Sequence, residues 1–275
     1  MVSRENGYDY KRALREISSL ADQGYCDGIE LMMLIAYYDK KEDVIRSIKD
    51  SGLKTGTIHC EKEIGTMLSQ AGTDEAEGRA EESGKVYSEA LELFKYNCSF
   101  GEELGTDRMV LHLWGGYPSD RHIEFNVRVF PELRKIASDY GLRILVENIP
   151  SQKYDPRTNW HKLLENMGDS GFVFDTRFGM LHKQIEGILT DSELVSKIEH
   201  VHISDFAGYF REFFALRPIL HPGEGFVDFE KTAQLLEKIG YESTITLESP
   251  VVCGQDLDIE KIKRTLAYVR SRFLK

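Results

Sequence analysis

The chain has little cysteine, and what it has is dispersed. Cys26, Cys60, Cys98 and Cys253 form no CxxC pair and no zinc-finger spacing in 275 residues. A disulfide framework is therefore not the basis of the fold, and free thiols in a reducing compartment are expected. Long apolar runs are absent as well. No segment approaches the roughly 18 apolar residues of a spanning helix, and the opening MVSRENGYDYKR lacks the apolar core of a signal peptide. Positive charge is in deficit: 35 Lys and Arg face 46 Asp and Glu, a formal net charge of -11. That balance argues against general affinity for nucleic acid or for an anionic membrane surface. The expectation is a cytoplasmic protein with neither as a partner. No GxGxxG or GxxxxGK[ST] follows the first apolar run, which weakens a nucleotide-binding sheet. No low-complexity linker divides the chain, so one domain over residues 1–275 is expected.

What is present is a regular alternation. Short apolar runs recur as CDGIEL (26–31), KTGTIHC (54–60), RMVLHLWG (108–115), RILVENIP (143–150), GFVFDTR (171–177), IEHVHISDF (198–206) and STITLESP (243–250). Rich in Val, Ile, Leu and Phe and bounded by Gly, Asp or Pro, they read as buried parallel strands. Between them, helical spacing predicts helices over 9–21, 41–49, 86–104, 160–167, 190–198, 229–239 and 259–273. Thr190 with Glu193 has the form of a capping box, and Gly52 and Gly240 sit where a helix C-terminal glycine belongs. Strand–helix alternation implies parallel strands joined by right-handed crossovers, in an open sheet or a closed barrel. Seven strands are clear. An eighth would have to come from MVSREN, so the first strand of a (β/α)8 TIM barrel is short or missing.

Each run carries an acid or imidazole at or near its C-terminal end: Glu30, His59, His112, Glu147, Asp175, then His200, His202 and Asp205, and finally Glu248. In a (β/α) barrel those ends meet at one mouth, where the active site lies. Charge facing a barrel interior is costly unless paired or metal-bound. Glu147, Asp175, His202 and Glu248 together make an oxygen-rich donor set suited to one divalent metal ion: Mn, Co, Mg or Zn.

These residues sit in motifs that resemble the xylose isomerase-like TIM barrels, a family of sugar isomerases, sugar 3-epimerases and AP endonucleases. The resemblance runs from DGIEL (27–31) to TLES (246–249) through VENIP (146–150), FDT (174–176), HVHISD (200–205) and PGEGFVDF (222–229). It implies that Glu147, Asp175, His202 and Glu248 bind one divalent metal. Three positions depart from the family pattern. Phe178 stands where a DTxH turn carries His, and the nearest histidine is His182. Arg217 and Ile219 replace the Asp-x-His that the endonuclease branch has before its GEG turn. Lys153 replaces a further Glu of the 3-epimerase branch, so tagatose- or psicose-type recognition does not carry over.

The resulting expectation is a metal-dependent isomerase or epimerase of a small carbohydrate, with Glu147 and Glu248 moving protons through an enediolate. Substrate contacts are expected from Glu30, His59, His112, Arg211, Arg217 and Glu224. Each has a plainer reading: His59 and His112 as satisfied core histidines, Glu30 and His200 as support for the ligands, Arg211 and Arg217 as solvated charges. Phe178 is expected to shape the pocket wall. Gly223-Glu224-Gly225 is either a simple turn or a loop whose N–H groups face the ligand. Phe206, Tyr209, Phe210, Phe213 and Phe214 either shield the site or meet a second copy in a homodimer. Competing functions are a metal-dependent dehydratase, an AP-endonuclease-like phosphodiesterase and a non-catalytic sugar-binding barrel.

Overall fold

The structure is a computed structural model and describes residues 9–212, 216–249, 252–253 and 256–273. All seven apolar runs are strands: β1 (Gly28–Met32), β2 (Lys54–His59), β3 (Arg108–Leu111), β4 (Arg143–Glu147), β5 (Gly171–Asp175), β6 (Ile198–Ile203) and β7 (Thr244–Leu247). They pair in chain order, every neighbour parallel. The sheet curls until its far strands meet across the interior: the Glu30 carboxylate of β1 reaches His200 and His202 of β6. Seven parallel strands thus form a nearly closed barrel. MVSREN lies outside the described residues. A short antiparallel pair, β8 (Val252–Cys253) and β9 (Asp256–Leu257), follows β7.

The helices are α1 (Tyr10–Asp22), α2 (Lys41–Asp50), α3 (Lys62–Ala76), α4 (Ala80–Leu104), α5 (Ile123–Asp139), α6 (Pro156–Leu163), α7 (Thr176–Leu181), α8 (Ile185–Leu189), α9 (Ser192–Val195), α10 (Phe229–Lys238) and α11 (Ile259–Phe273). The 190–198 prediction shrinks to α9. Its cap is not Thr190: the Asp191 carboxylate accepts the Glu193 N–H instead. Four helices lie outside those predictions: the short α7 and α8, and the longer α3 and α5. The buried side of α3 is largely small residues, among them Gly65, Ser69, Ala71 and Gly72. A Cβ at Gly65 would lie 2.3 Å from the His112 carbonyl oxygen, so the helix approaches the barrel at backbone distance. α5 contains Pro131, which reads as a break because it removes an intrahelical N–H.

Strand alternation separates two apolar layers. Met109, Leu111, Ile144, Val146, Phe172, Phe174, Val201 and Ile203 belong to the main core. Val110, Leu145 and Val173 form a separate inward cluster with no exposed surface. Two residues farther along the same strands stand His112, Glu147 and Asp175. The ionisable groups therefore rest on an apolar floor, one layer up. No helix among the described residues is long and apolar enough to cross a membrane. Cys26, Cys60 and Cys98 are free thiols, and the Cys253 side chain lies outside the described set.

Candidate active site

The floor fixes the height of the site, and strand register fixes its lateral arrangement. Asp175 is the Cα partner of His202, and His202 that of Thr246. Ligand atoms of Glu147, Asp175, His202 and Glu248 all lie within 4.8 Å of one another, bringing together the four residues singled out from the sequence. His202 Nδ1 is 3.0 Å from Glu147 Oε1 and 3.3 Å from Glu248 Oε1. Its Nε2 is 3.2 Å from Glu30 Oε2. Burial opposes charge on His202, but Glu30, Glu248 and Glu147 outweigh it and hold the imidazole well above its ordinary value.

Three of the six expected substrate contacts join this cluster. Glu30 Oε2 accepts from the Thr57 hydroxyl at 2.6 Å and lies 2.9 Å from His200 Nε2. Burial would raise its pKa, yet His202 and His200 keep it well below the usual carboxylate range. His112 Nε2 is 2.5 Å from Glu147 Oε2, and His59 Nε2 is 3.4 Å from the same oxygen. Burial pushes His112 down to about 4, so it is neutral near pH 7 and donates its Nε2 proton to the carboxylate. His59, also buried, is raised by Glu147.

Asp175 supplies a direct test of whether a cation fits. Its Oδ1 accepts the Phe178 N–H at 2.7 Å, capping α7, while its buried Oδ2 has no hydrogen-bond partner among the described residues. Burial pushes its pKa up to about 7, and the nearby Arg177 only partly offsets this. A buried carboxylate with an idle oxygen, beside two more carboxylates and an imidazole, is a donor set short of one positive charge. The residues fit a hard or borderline divalent ion.

The other expected contacts lie elsewhere. Arg211 is exposed, and Arg217 pairs through its backbone with Glu212 on the loop after β6. The Glu224 carboxylate holds Lys261 at 2.7 Å and accepts the His221 N–H. The glycine N–H groups of the GEG turn do not face a ligand. Gly223 and Gly225 donate to Asp205 Oδ2 at 2.9 and 2.8 Å. Gly225 is required there, since a Cβ would sit 2.4 Å from the Phe206 carbonyl oxygen. Phe206 is buried core rather than a shield, Phe210 is half-buried, Tyr209 is exposed, and Phe213 and Phe214 lie outside the described residues. Phe178 is buried, and His182 Nε2 accepts the Ser151 N–H away from the quartet.

Asp120 and Arg177 were not singled out from the sequence, and Asp205, named there as a strand-end acid, has a structural role. Asp205 organises the GEG loop. Asp120 accepts the N–H groups of Gln152, Lys153 and Tyr154 at 2.7, 2.8 and 2.7 Å, shaping the loop after β4. Arg177 is 2% exposed, donates to the Leu216 carbonyl at 2.6 Å and lies 4.5 Å from the Phe178 ring centroid. Its place in FDTR, two residues after a strand-end acid, was the available signal.

Known proteins share features of this chain. An uncharacterized protein of Methanocaldococcus jannaschii is 29% identical over 153 residues, 54% of this chain and 57% of its own length. A second from that organism is 28% identical over 188 residues, 62% and 60% respectively. The chain thus spans less than two thirds of either relative. Among solved structures, D-psicose 3-epimerase of Clostridium cellulolyticum H10 superposes with a TM-score of 0.70 at 14% identity, covering 96% of this chain and 94% of that one. The 3-keto-D-glucoside 4-epimerase YcjR of E. coli gives a TM-score of 0.65 at 16% identity, covering 94% of each. These likenesses establish the barrel. The family model described as xylose isomerase-like TIM barrel matches residues 17–272, and the chain belongs to that family.

Proposed function

We propose that the protein is a divalent-metal-dependent isomerase or epimerase of a small sugar or sugar derivative, working by proton transfer next to a carbonyl. The observation that carries this reading is the convergence of Glu147, Asp175, His202 and Glu248, with an idle buried oxygen on Asp175. Sugar epimerases among the structures that share the fold support it. When bound by these four residues, the cation would polarise a carbonyl and hydroxyl pair and acidify the neighbouring C–H.

The chain's own groups do the rest. Glu147 ends β4 and Glu248 follows β7, so the two carboxylates approach the mouth from different sides of the barrel. One takes the proton from one face of the substrate, leaving an enediolate, and the other returns a proton. The His112 hydrogen bond on Oε2 orients Glu147. Glu30, on His202 Nε2, keeps a proton on that nitrogen and leaves Nδ1 as the donor, a common outer-carboxylate arrangement for a metal-binding histidine. Loss of water from the same enediolate would make the enzyme a dehydratase.

One geometric feature favours a second reading. Ligand atoms of His59, His112 and Glu147 also lie within 4.8 Å of one another, enough for a second cation and a phosphodiesterase. The charge of -11 and the presence of Arg217 and Ile219 oppose it.

Elemental analysis combined with solvent-deuterium uptake tests both. One metal per chain, lost in the Glu147→Gln, Glu248→Gln double variant, with deuterium entering a ketose, is the expected result. Two metals with cleavage of a phosphodiester would replace this reading by the second. Sugar binding without exchange in the metal-loaded protein would leave a non-catalytic barrel.

A further inference from the structure

Just beyond the cluster, a cleft of about 240 Å³ opens at the ends of the first two strands. Residues 32–36 line one side and residues 60–63 the other. Its walls continue the strands that carry site residues: Met32 lies two residues past Glu30, and Cys60 one past His59. The Met33 N–H donates to the His59 carbonyl at 2.8 Å, tying the wall to the strand that carries His59.

We infer that the substrate extends from the quartet into this cleft, and that the part seated there is an uncharged, largely apolar substituent and not a phosphate. The inference rests on the carbohydrate reading above and narrows it. The first wall is Met32, Met33, Leu34, Ile35 and Ala36, without a charge. Ile35 is 77% exposed, although it begins a 3-10 turn held by the buried Tyr37. Ile35 thus adds accessible apolar surface to a wall that already lacks charge, which a bound hydrocarbon group would cover.

The opposite wall decides the sign of charge. α3 starts at Lys62, and a helix N-terminus ordinarily welcomes an anion. Here Glu61 occupies the cap position and Glu63 the first turn, so two carboxylates flank the single ammonium of Lys62. A phosphate would enter a net negative wall. The size also suits a hydrocarbon group: an apolar cavity of about 150 Å³ takes benzene, and this cleft is larger.

The test uses metal-loaded protein and three compounds on one ketose scaffold. These are the free ketose, a phenyl ether at a hydroxyl remote from the carbonyl, and the phosphate ester at that same hydroxyl. Calorimetric titration gives affinity, and solvent-deuterium uptake gives turnover. The phenyl compound should bind at least about tenfold more tightly than the phosphate, in line with burial of one aromatic ring. Ile35→Glu, an exposed position whose folding circular dichroism confirms, should abolish that margin and leave the free ketose within about twofold, as expected of a residue touching only the substituent.

Phosphate binding equal to or tighter than phenyl binding would overturn the inference. So would an equal loss for all three compounds in Ile35→Glu. Deuterium uptake by the free ketose without phenyl preference would sink the cleft assignment and leave the isomerase reading standing. Phenyl preference without uptake from any compound would do the reverse. Failure of all three to bind would overturn both.

Discussion

Asp175 and Asp205 have the same side chain, no exposed surface and neighbouring strand ends as their address, yet the protein treats them in opposite ways. Asp205 Oδ1 accepts the Phe206 and Val227 N–H groups at 2.8 and 2.9 Å, and Oδ2 accepts those of Gly223 and Gly225. Four donors saturate it, and its charge is spent on holding a loop. Asp175 has one backbone donor on Oδ1 and none on Oδ2. Asp120 follows the pattern of Asp205, with three backbone donors and the Asn159 amide. A buried carboxylate that is fully bonded belongs to the scaffold. One left short of partners, as Asp175 is, keeps lone pairs that the proposed cation would take up.

The largest effect that would test this contrast is on turnover. Glu147→Gln or Glu248→Gln should lower proton exchange by about 10²–10⁴-fold, the usual contribution of a positioned acid or base. The measurement is deuterium uptake under saturating metal, alongside urea unfolding. A variant that keeps activity but loses stability would move that glutamate into the scaffold class.

The converse holds for Asp205. Asp205→Ala strands four backbone N–H groups and should cost about 3 kcal/mol or more, since each buried donor left unsatisfied costs roughly 1–3 kcal/mol. Asp120→Ala should cost somewhat less, about 2 kcal/mol, because it strands three backbone N–H groups where Asp205→Ala strands four. Urea unfolding of both reads this directly. A midpoint unchanged from wild type in Asp205→Ala would mean that the GEG loop is held by something other than that carboxylate.

The contrast explains what the sequence could and could not reveal. All seven strands were legible because buried parallel strands are continuous apolar runs whose ends are marked by Gly, Asp or Pro. The spatial grouping of Glu147, Asp175, His202 and Glu248 was legible because strand alternation and a common mouth turn one-dimensional position into three-dimensional neighbourhood. α3 was not, because beyond Ile64 and Leu68 its buried face is mostly small or polar, with Gly65, Ser69, Ala71 and Gly72, and shows no sustained hydrophobic periodicity. The pairing of Asp205 with Gly223 and Gly225 spans a loop of irregular backbone, and no local pattern records which N–H groups will turn inward. For the same reason the GEG turn read equally well as a ligand loop. Arg177 illustrates a third limit. A guanidinium buried on Phe178 and under the Leu216 carbonyl looks, in the sequence, like any charge after a strand.

The subtlest way to separate the two kinds of carboxylate is their opposite response to pH in metal-free protein. Asp120 is held below its ordinary value: burial raises it, but the N–H groups of Lys153, Tyr154 and Gln152 with Asn159 more than compensate. Its folded value lies under its unfolded one, so its stabilisation is present above about pH 4 and fades as pH falls further. Asp175 is raised to about 7 by burial. The folded state then holds a proton that the unfolded chain releases from about pH 4 upward. Stability attributable to Asp175 is complete in acid and declines as pH rises toward 7, where the loss levels off. Asp175→Asn should remove that decline, leaving a flatter profile between pH 4 and 7 in urea unfolding of chelator-treated protein. Asp120→Asn should leave the decline intact and weaken the protein most near neutrality. Adding a divalent cation to wild type should abolish the Asp175 slope, because a cation in place of the proton keeps the carboxylate ionised in the folded state. A slope that survives in Asp175→Asn would assign it to another group and remove the idle oxygen as evidence for a cation site.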